Sequence, residues 1–201
     1  VAEANGIEAI IGAMQGHVED LSVQKSGCSL LYELIYDESS KIDVVNTGGI
    51  KAVIDGMQAH LADEHVQTYG FMFLERLELE MNSAKKEDGD EAVKAIVEGM
   101  HRHIENVQLQ RTGLEVLGDI ASYQSGRIAI REAGGIKAVV DAMQRHVTEK
   151  AVQSSGCVAI GHLAADPNNH NEILKAGGIK AIVEAMQRHV TEKAVQSSCC
   201  V

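Results

Sequence analysis

The chain contains no Trp and a single Pro, and its aromatic complement is two Phe and four Tyr in 201 residues. Aromatic base-stacking platforms and an aromatic-rich core therefore have little material to draw on. Positive charge is also scarce, with 18 Lys+Arg against 29 Asp+Glu and a formal net charge of −11. That balance excludes nucleic acid and an anionic membrane surface as main partners, since both demand a basic face. No uncharged apolar run approaches the roughly 18 residues that would span a bilayer, so no membrane insertion is expected. The opening Val1-Ala2-Glu3 shows neither a signal-peptide pattern nor an initiator Met. The four cysteines, Cys28, Cys157, Cys199 and Cys200, are too few and too unevenly placed for a disulfide framework. Such cysteine usage points to a reducing, intracellular setting, cytoplasmic with the nucleus left open. What remains is 45% hydrophobic with 19 Gly beside the lone Pro, the profile of a folded chain of helices interrupted at regular breaks.

Those breaks recur with a fixed period. Ile7, Ile50, Val93, Ile136 and Ile179 follow one another at 43 residues, as do Met14, Met57, Met100, Met143 and Met186. His17, His60, His103, His146 and His189 keep the same step, and so do Gln24, Gln67, Gln110, Gln153 and Gln196. Residues 134–158 and 177–201 differ only at Val139/Ile182, Asp141/Glu184 and Gly156/Cys199, the mark of an internal duplication.

Within a period the apolar spacing is helical. Ile136, Val139, Val140, Met143 and Val147 share one face of a helix, and a second stripe runs through Val152, Gly156, Cys157, Ile160, Leu163 and Ala164. A shorter helix precedes the pair, with Asp166 as N-cap, Pro167 at the first helical position, and Ile173 and Leu174 as its apolar contacts. Gly-Gly pairs at 48–49, 134–135 and 177–178 suit a left-handed cap and a sharp corner. Each period therefore predicts a short helix, a Gly-Gly corner and two longer helices. Gly27, Gly70, Gly113 and Gly156 open room for close helix packing.

The sequences Ala-Gly-Gly-Ile-Lys-Ala-Ile-Val-Glu-Ala-Met at 176–186 and Val-Gln-Ser-Ser-Gly-Cys-Val-Ala-Ile-Gly-His-Leu-Ala at 152–164 resemble the armadillo repeat, and the resemblance covers essentially the whole chain. The Gly-Gly corner and the Val-Gln opening of the last helix favour armadillo over the two-helix HEAT repeat. The resemblance implies an all-α fold, a right-handed α-α superhelix with three helices per 43-residue repeat, whose third helices line a groove that holds an extended peptide or partner domain. The divisions expected are a partial repeat at 1–36, repeats at 37–79, 80–122 and 123–165, and a truncated repeat at 166–201. The array starts inside a first helix at 1–5 and stops inside a third helix, so a fragment of a longer array is expected, with uncapped ends open to end-to-end self-association.

One unit departs from the pattern. Residues 80–91 place Lys85 and Glu87 where the counterparts are Ile128 and Ile130, and Glu91-Ala92 replaces the Gly-Gly corner. A solvated loop or frayed helix is expected there, soft enough to act as a hinge.

Candidate functional residues are weighed against ordinary structural roles. The His column has the spacing of stacked repeats, about 10 Å, so at most two neighbours could share a metal ion. A His at the end of the second helix complements the helix dipole and covers the following turn. His101 and His103 point in different directions. The Met column shares the phase of Ile136 and Val140 and reads as core. Cys28 and Cys157 read as small buried hydrophobes, while Cys199 and Cys200 stand side by side and leave a redox role open. No P-loop, zinc-protease motif or nucleophile elbow is present, so no catalytic residue, metal site or cofactor is expected.

The inward stripe of the third helix, taken at four-residue steps, gives Lys25/Ser29/Glu33, Thr68/Met72/Arg76, Arg111/Glu115/Asp119 and Ser154/Val158/His162. In peptide-gripping members of the resembling family, such as the nuclear-import receptors, the last two columns are Trp and Asn. Here they read Ser29, Met72, Glu115, Val158 and Glu33, Arg76, Asp119, His162, so import-signal recognition is not implied. The candidate groove contacts are these column residues with Lys25 and Arg111, and Tyr32 and Tyr36 as apolar anchors. The function expected is a non-catalytic scaffold that binds a partner protein or extended peptide along the groove. The alternatives are a structural spacer or self-associating segment, and a His-based metal module.

Overall fold

A computed structural model describes residues 2–77 and 86–200. Among the described residues there are thirteen α-helices and one 3-10 turn, with no strand. The helices are α1 Ala2–Gly16, α2 Leu21–Leu34, α3 Glu38–Asn46, α4 Gly49–Ala59, α5 Glu64–Arg76, α6 Lys86–Arg102 and α7 Val107–Ala121. They continue with α8 Gln124–Glu132, α9 Gly135–Arg145, α10 Lys150–Ala164, α11 His170–Ala176, α12 Gly178–Arg188 and α13 Lys193–Ser198.

The helices form three parallel rows. The row α1, α4, α6, α9, α12 holds the second helices, each packed on the next, and the row α2, α5, α7, α10, α13 holds the third helices. The short helices α3, α8 and α11 bridge successive members of the second-helix row. The principal contacts join only adjacent units, as a linear stack requires, because no unit has enough apolar surface to close a core alone. The apolar columns do this work. Ile7, Ile50, Val93 and Ile136 are buried, as are Met14, Met57, Met100 and Met143.

Corner chemistry decides where a first helix ends. Gly48, Gly134 and Gly177 have φ of +82°, +75° and +86°, the left-handed values that a side chain disfavours, and at each the chain turns from short helix to long. Where the pair is missing, there is no turn. Glu91-Ala92 lies inside one continuous 17-residue helix, α6, that begins at Lys86. Of the solvated loop or frayed helix expected at 80–91, the loop alternative is corrected over 86–91, which are helical, and the calls on 80–85 lie outside the described residues. Without a residue able to take positive φ, the helix simply propagates, with Lys94 and Glu98 on its exposed side. For the same reason, 2–5 do not form a separate first helix, because they belong to α1 and Gly6 has no positive φ.

A second close approach fixes the third helix against the second. A Cβ added at Gly27, Gly70, Gly113 or Gly156 would lie 2.4–2.8 Å from the Met side chain of the same unit, well inside van der Waals contact. The third helix therefore rests directly on the Met column. Asp166 caps the 3-10 turn Pro167–Asn169 through the Asn168 amide, as its sequence suggests. Ile173 is buried in the following helix, whereas Leu174, expected beside it, is 62% exposed.

The end of every second helix leaves carbonyls without intrahelical donors, and two side-chain columns supply them. The buried Gln110 Nε2 donates to the Met100 carbonyl at 2.8 Å and to the His103 carbonyl at 3.0 Å. Gln24, Gln67, Gln153 and Gln196 repeat the pattern. The His column then ties each unit to the one before it. His60, His103, His146 and His189 donate through Nε2 to the carbonyls of Val18, Leu61, Ile104 and Val147 at 2.8, 2.8, 2.6 and 2.9 Å. A carbonyl only accepts, so each ring carries its proton on Nε2, and the bond tolerates protonation of Nδ1.

Truncating Gln110 to Ala strands two carbonyls in the middle of the array. We expect a loss of about 2 kcal/mol, read as a fall in Tm of roughly 4–8 °C, against little change for the exposed Gln108→Ala on the same helix.

Candidate functional site

The third-helix row forms the inner face, and the candidate contacts fall on it in a chain of cross-unit bonds. Lys25 on α2 pairs with Asp63, the N-cap of α5, at 2.8 Å. Ser29 turns inward on its own helix, its hydroxyl donating to the Lys25 carbonyl at 2.9 Å. Arg76 on α5 reaches back 44 residues to α2. Its guanidinium donates to the Tyr32 carbonyl at 2.8 Å and the Tyr32 hydroxyl at 2.7 Å, and lies 3.7 Å over the ring centre. His162 on α10 makes the same reach to α7, its Nδ1 meeting the Gly118 carbonyl at 2.8 Å. In both cases a cationic or donor side chain answers the carbonyl-rich end of the preceding third helix.

The same column breaks this rule at α7. Asp119 stands where Arg76 and His162 stand in their units, one period after Arg76, and it has no proton to give. The position it follows from the unit before is Glu75, the counterpart of Tyr32 and Gly118. Partial burial and the negative charges of Glu115 and Asp119 push the Glu75 carboxyl above its ordinary range, against a smaller pull from Arg111, and Glu75 and Glu115 are within hydrogen-bonding reach. Arg111 Nη1 lies 2.7 Å from each Glu115 carboxylate oxygen, and the Ser155 hydroxyl donates to Glu115 at 3.4 Å. Arg111 thus pairs with Glu115, next to the raised carboxyl of Glu75.

Beside this acidic rung lies an aromatic one. Tyr32 and Tyr69 meet edge to face with ring centres 5.8 Å apart, and His65 stacks on Tyr69 at 4.5 Å. Met72 and Val158 are half-buried along the same row, and Glu33 is exposed. Tyr36 is 63% exposed but sits in the α2–α3 link, lining a surface hollow with Ile7 and Asp43, apart from the other candidates. Glu75, Tyr69 and His65 did not fall on the predicted stripe. A strict four-residue step drifts about 40° per step from the 3.6-residue turn, so the positions three residues from Thr68, Met72 and Arg76 were passed over.

Among the described residues no group of three or more His, Cys, Asp and Glu is placed to hold a metal ion. Four rings of the His column commit Nε2 to carbonyls as donors, which removes the lone pair a metal would need there. No helix among the described residues is long and apolar enough to cross a membrane.

Cys157 is buried as expected, but it is not a free thiol. Its sulfur is joined to that of Cys199 across α10 and α13, with Cα atoms 5.0 Å apart. Cys28 remains free and buried, and that burial pushes its thiol up to about 12.

A linear stack of three-helix units with positive-φ glycine corners and an inner row of third helices is an armadillo-type α-solenoid. The chain belongs to the LRRK2 ARM repeat family, whose model matches residues 3–200. No curated protein matches it. Two engineered proteins with crystal structures from a structural genomics consortium share the fold. One has a TM-score of 0.76 at 21% identity over 96% of this chain and 76% of its own. The other has a TM-score of 0.76 at 16% identity over 96% and 78%.

The charge conflict at Glu75 has a sign that can be tested. A carboxyl with a folded pKa above its unfolded one supports the fold below the unfolded pKa, near 4.3 for Glu, and loses that support as pH rises through the folded value. Glu75→Gln removes the ionisation. Its Tm should exceed that of the parent at pH 7, and the advantage should vanish on acidification to about pH 4, followed by calorimetry across the range.

Proposed function

We propose that this chain is a non-catalytic scaffold whose inner face holds an extended segment of a partner protein, with a basic side chain of that segment seated at the Glu75–Glu115–Asp119 rung. The observation that carries this reading is the crowding of carboxyls there, with burial and the charges of Glu115 and Asp119 pushing the Glu75 carboxyl above its ordinary range. Elsewhere the inner-face donors are spent on neighbouring units, Lys25 on Asp63, Arg76 on Tyr32 and His162 on Gly118. At the acidic rung the Arg111 guanidinium is paired with Glu115 beside the raised carboxyl of Glu75. Opposite charge supplied by a partner relieves that conflict in a half-buried setting, where a charge pair is worth more than on an open surface. The neighbouring Tyr32 and Tyr69 offer flat, rigid surface for the stem of a long basic side chain or an apolar residue beside it. An extended peptide crossing several units meets both rungs in turn.

A spacer role draws support from the same internal pairing, because a face whose donors are already satisfied has less to offer a ligand. A titration separates the two. A fluorescent extended peptide with Lys and Arg at alternate positions should bind the chain, more weakly as salt rises from 50 to 300 mM as screening shortens the Debye length from roughly 14 to about 6 Å. Asp119→Lys combined with Glu75→Lys should weaken capture at least tenfold, about 1.4 kcal/mol, while Glu33→Lys, away from the rung, leaves it within twofold. Equal binding by parent and double variant would overturn the groove assignment in favour of the spacer.

A further inference from the structure

The stacking that builds the inner face brings residue i of one third helix against residue i+42 of the next. Successive pairs of this kind are Cys28 with Gly70, Phe71 with Gly113, Leu114 with Gly156 and Cys157 with Cys199. The contact is close at the second pair, where a Cβ on Gly113 would lie 3.0 Å from the Phe71 ring. Only the last pair has sulfur on both sides, at the 5.0 Å Cα separation that a disulfide needs. The sequence marks this position in a second way. In the duplicated stretches 134–158 and 177–201, two of the three differences exchange similar residues, Val139/Ile182 and Asp141/Glu184. The third, Gly156/Cys199, replaces a glycine of the Met-packed slot by the one residue able to bridge to Cys157. Of the column Met residues, Met186 beside that slot is only half-buried, while Met14, Met57, Met100 and Met143 are buried.

We propose that Cys157 and Cys199 form a reversible thiol–disulfide latch that fastens α13 to α10, closed by glutathione disulfide and opened by reduced glutathione. The reaction balances without any other reagent. Cys199, the more exposed of the two, attacks one sulfur of glutathione disulfide as its thiolate and expels a glutathione thiolate, leaving a mixed disulfide. Cys157 then attacks the Cys199 sulfur and expels the second glutathione. Two protein thiols lose two electrons and two protons, and one glutathione disulfide becomes two glutathione thiols. The Ser154–Ser198 hydroxyl contact of 2.8 Å is a further tie between the same helices. With α13 only six residues long, a covalent tie to α10 decides whether this rung of the inner face is fixed or free to fray. Cys28, facing glycine and kept protonated by burial, takes no part. This inference stands apart from the peptide reading of the groove.

Peptide mass spectrometry and amide exchange on the whole chain test it. After equilibration with glutathione disulfide, trypsin should release fragments 151–175 and 194–201 as one linked species, also in Cys200→Ser, and excess reduced glutathione should separate them. Amides of Lys193–Ser198 should exchange about tenfold more slowly in the linked form. Cys199→Gly, which restores the glycine of the other units, should keep the parent's reduced-state Tm and abolish both the link and the redox dependence. Recovery of both cysteines as free thiols, a link that needs Cys200, or equal exchange in the two states would overturn the latch.

Discussion

The fold depends on how the C-terminal end of each second helix is satisfied. A helix end leaves backbone carbonyls that must find donors once they are buried in a stack, and an unmet one costs about as much as several good surface contacts. Here the Gln column covers two of them within the unit, and the His column carries one bond to the previous unit. Gln lies ten residues after the Met whose carbonyl it meets, and His lies 42 residues after the carbonyl it reaches. Both distances hold only if the turn between the helices and the whole period stay constant. That constraint explains why four columns keep a 43-residue step without slippage through units whose other residues vary widely.

The same logic extends to the inner face. The ends of third helices present carbonyls to the next unit, and Arg76 and His162 meet them. Residues that a binding-site reading would reserve for a ligand are thus largely occupied in holding the stack together. Asp119 and Glu75 depart from this pattern, Asp119 standing where the neighbouring units carry Arg76 and His162, and Glu75 where they carry Tyr32 and Gly118.

The fold was legible in the residues because its signals are local and repeated. The apolar stripes, the Met phase and the glycine corners each follow from helix geometry, and the helix-end placement of the His column holds. The departures have equally local causes. Residues 86–91 look like a loop by composition, yet with Glu91-Ala92 at the corner nothing there stops a helix, and α6 runs through. The inner face was less legible. A straight four-residue stripe captured Arg76, Arg111, Glu115 and Asp119 but passed over Glu75 and Tyr69, and nothing in the alternation of charges showed that Arg76 turns back onto Tyr32. Tyr36 shares composition with Tyr32 but not its place.

The order of residues along the chain determined the period, the helices and the face each one buries, because these depend on interactions within about ten residues of each other. Tertiary stacking alone decided which carbonyl each His meets, that Cys157 faces Cys199, and that Glu75 stands near Glu115 and Asp119. Those partners lie roughly 40 residues apart, and their meeting is set by the spacing and rotation between units, quantities that no single repeat contains.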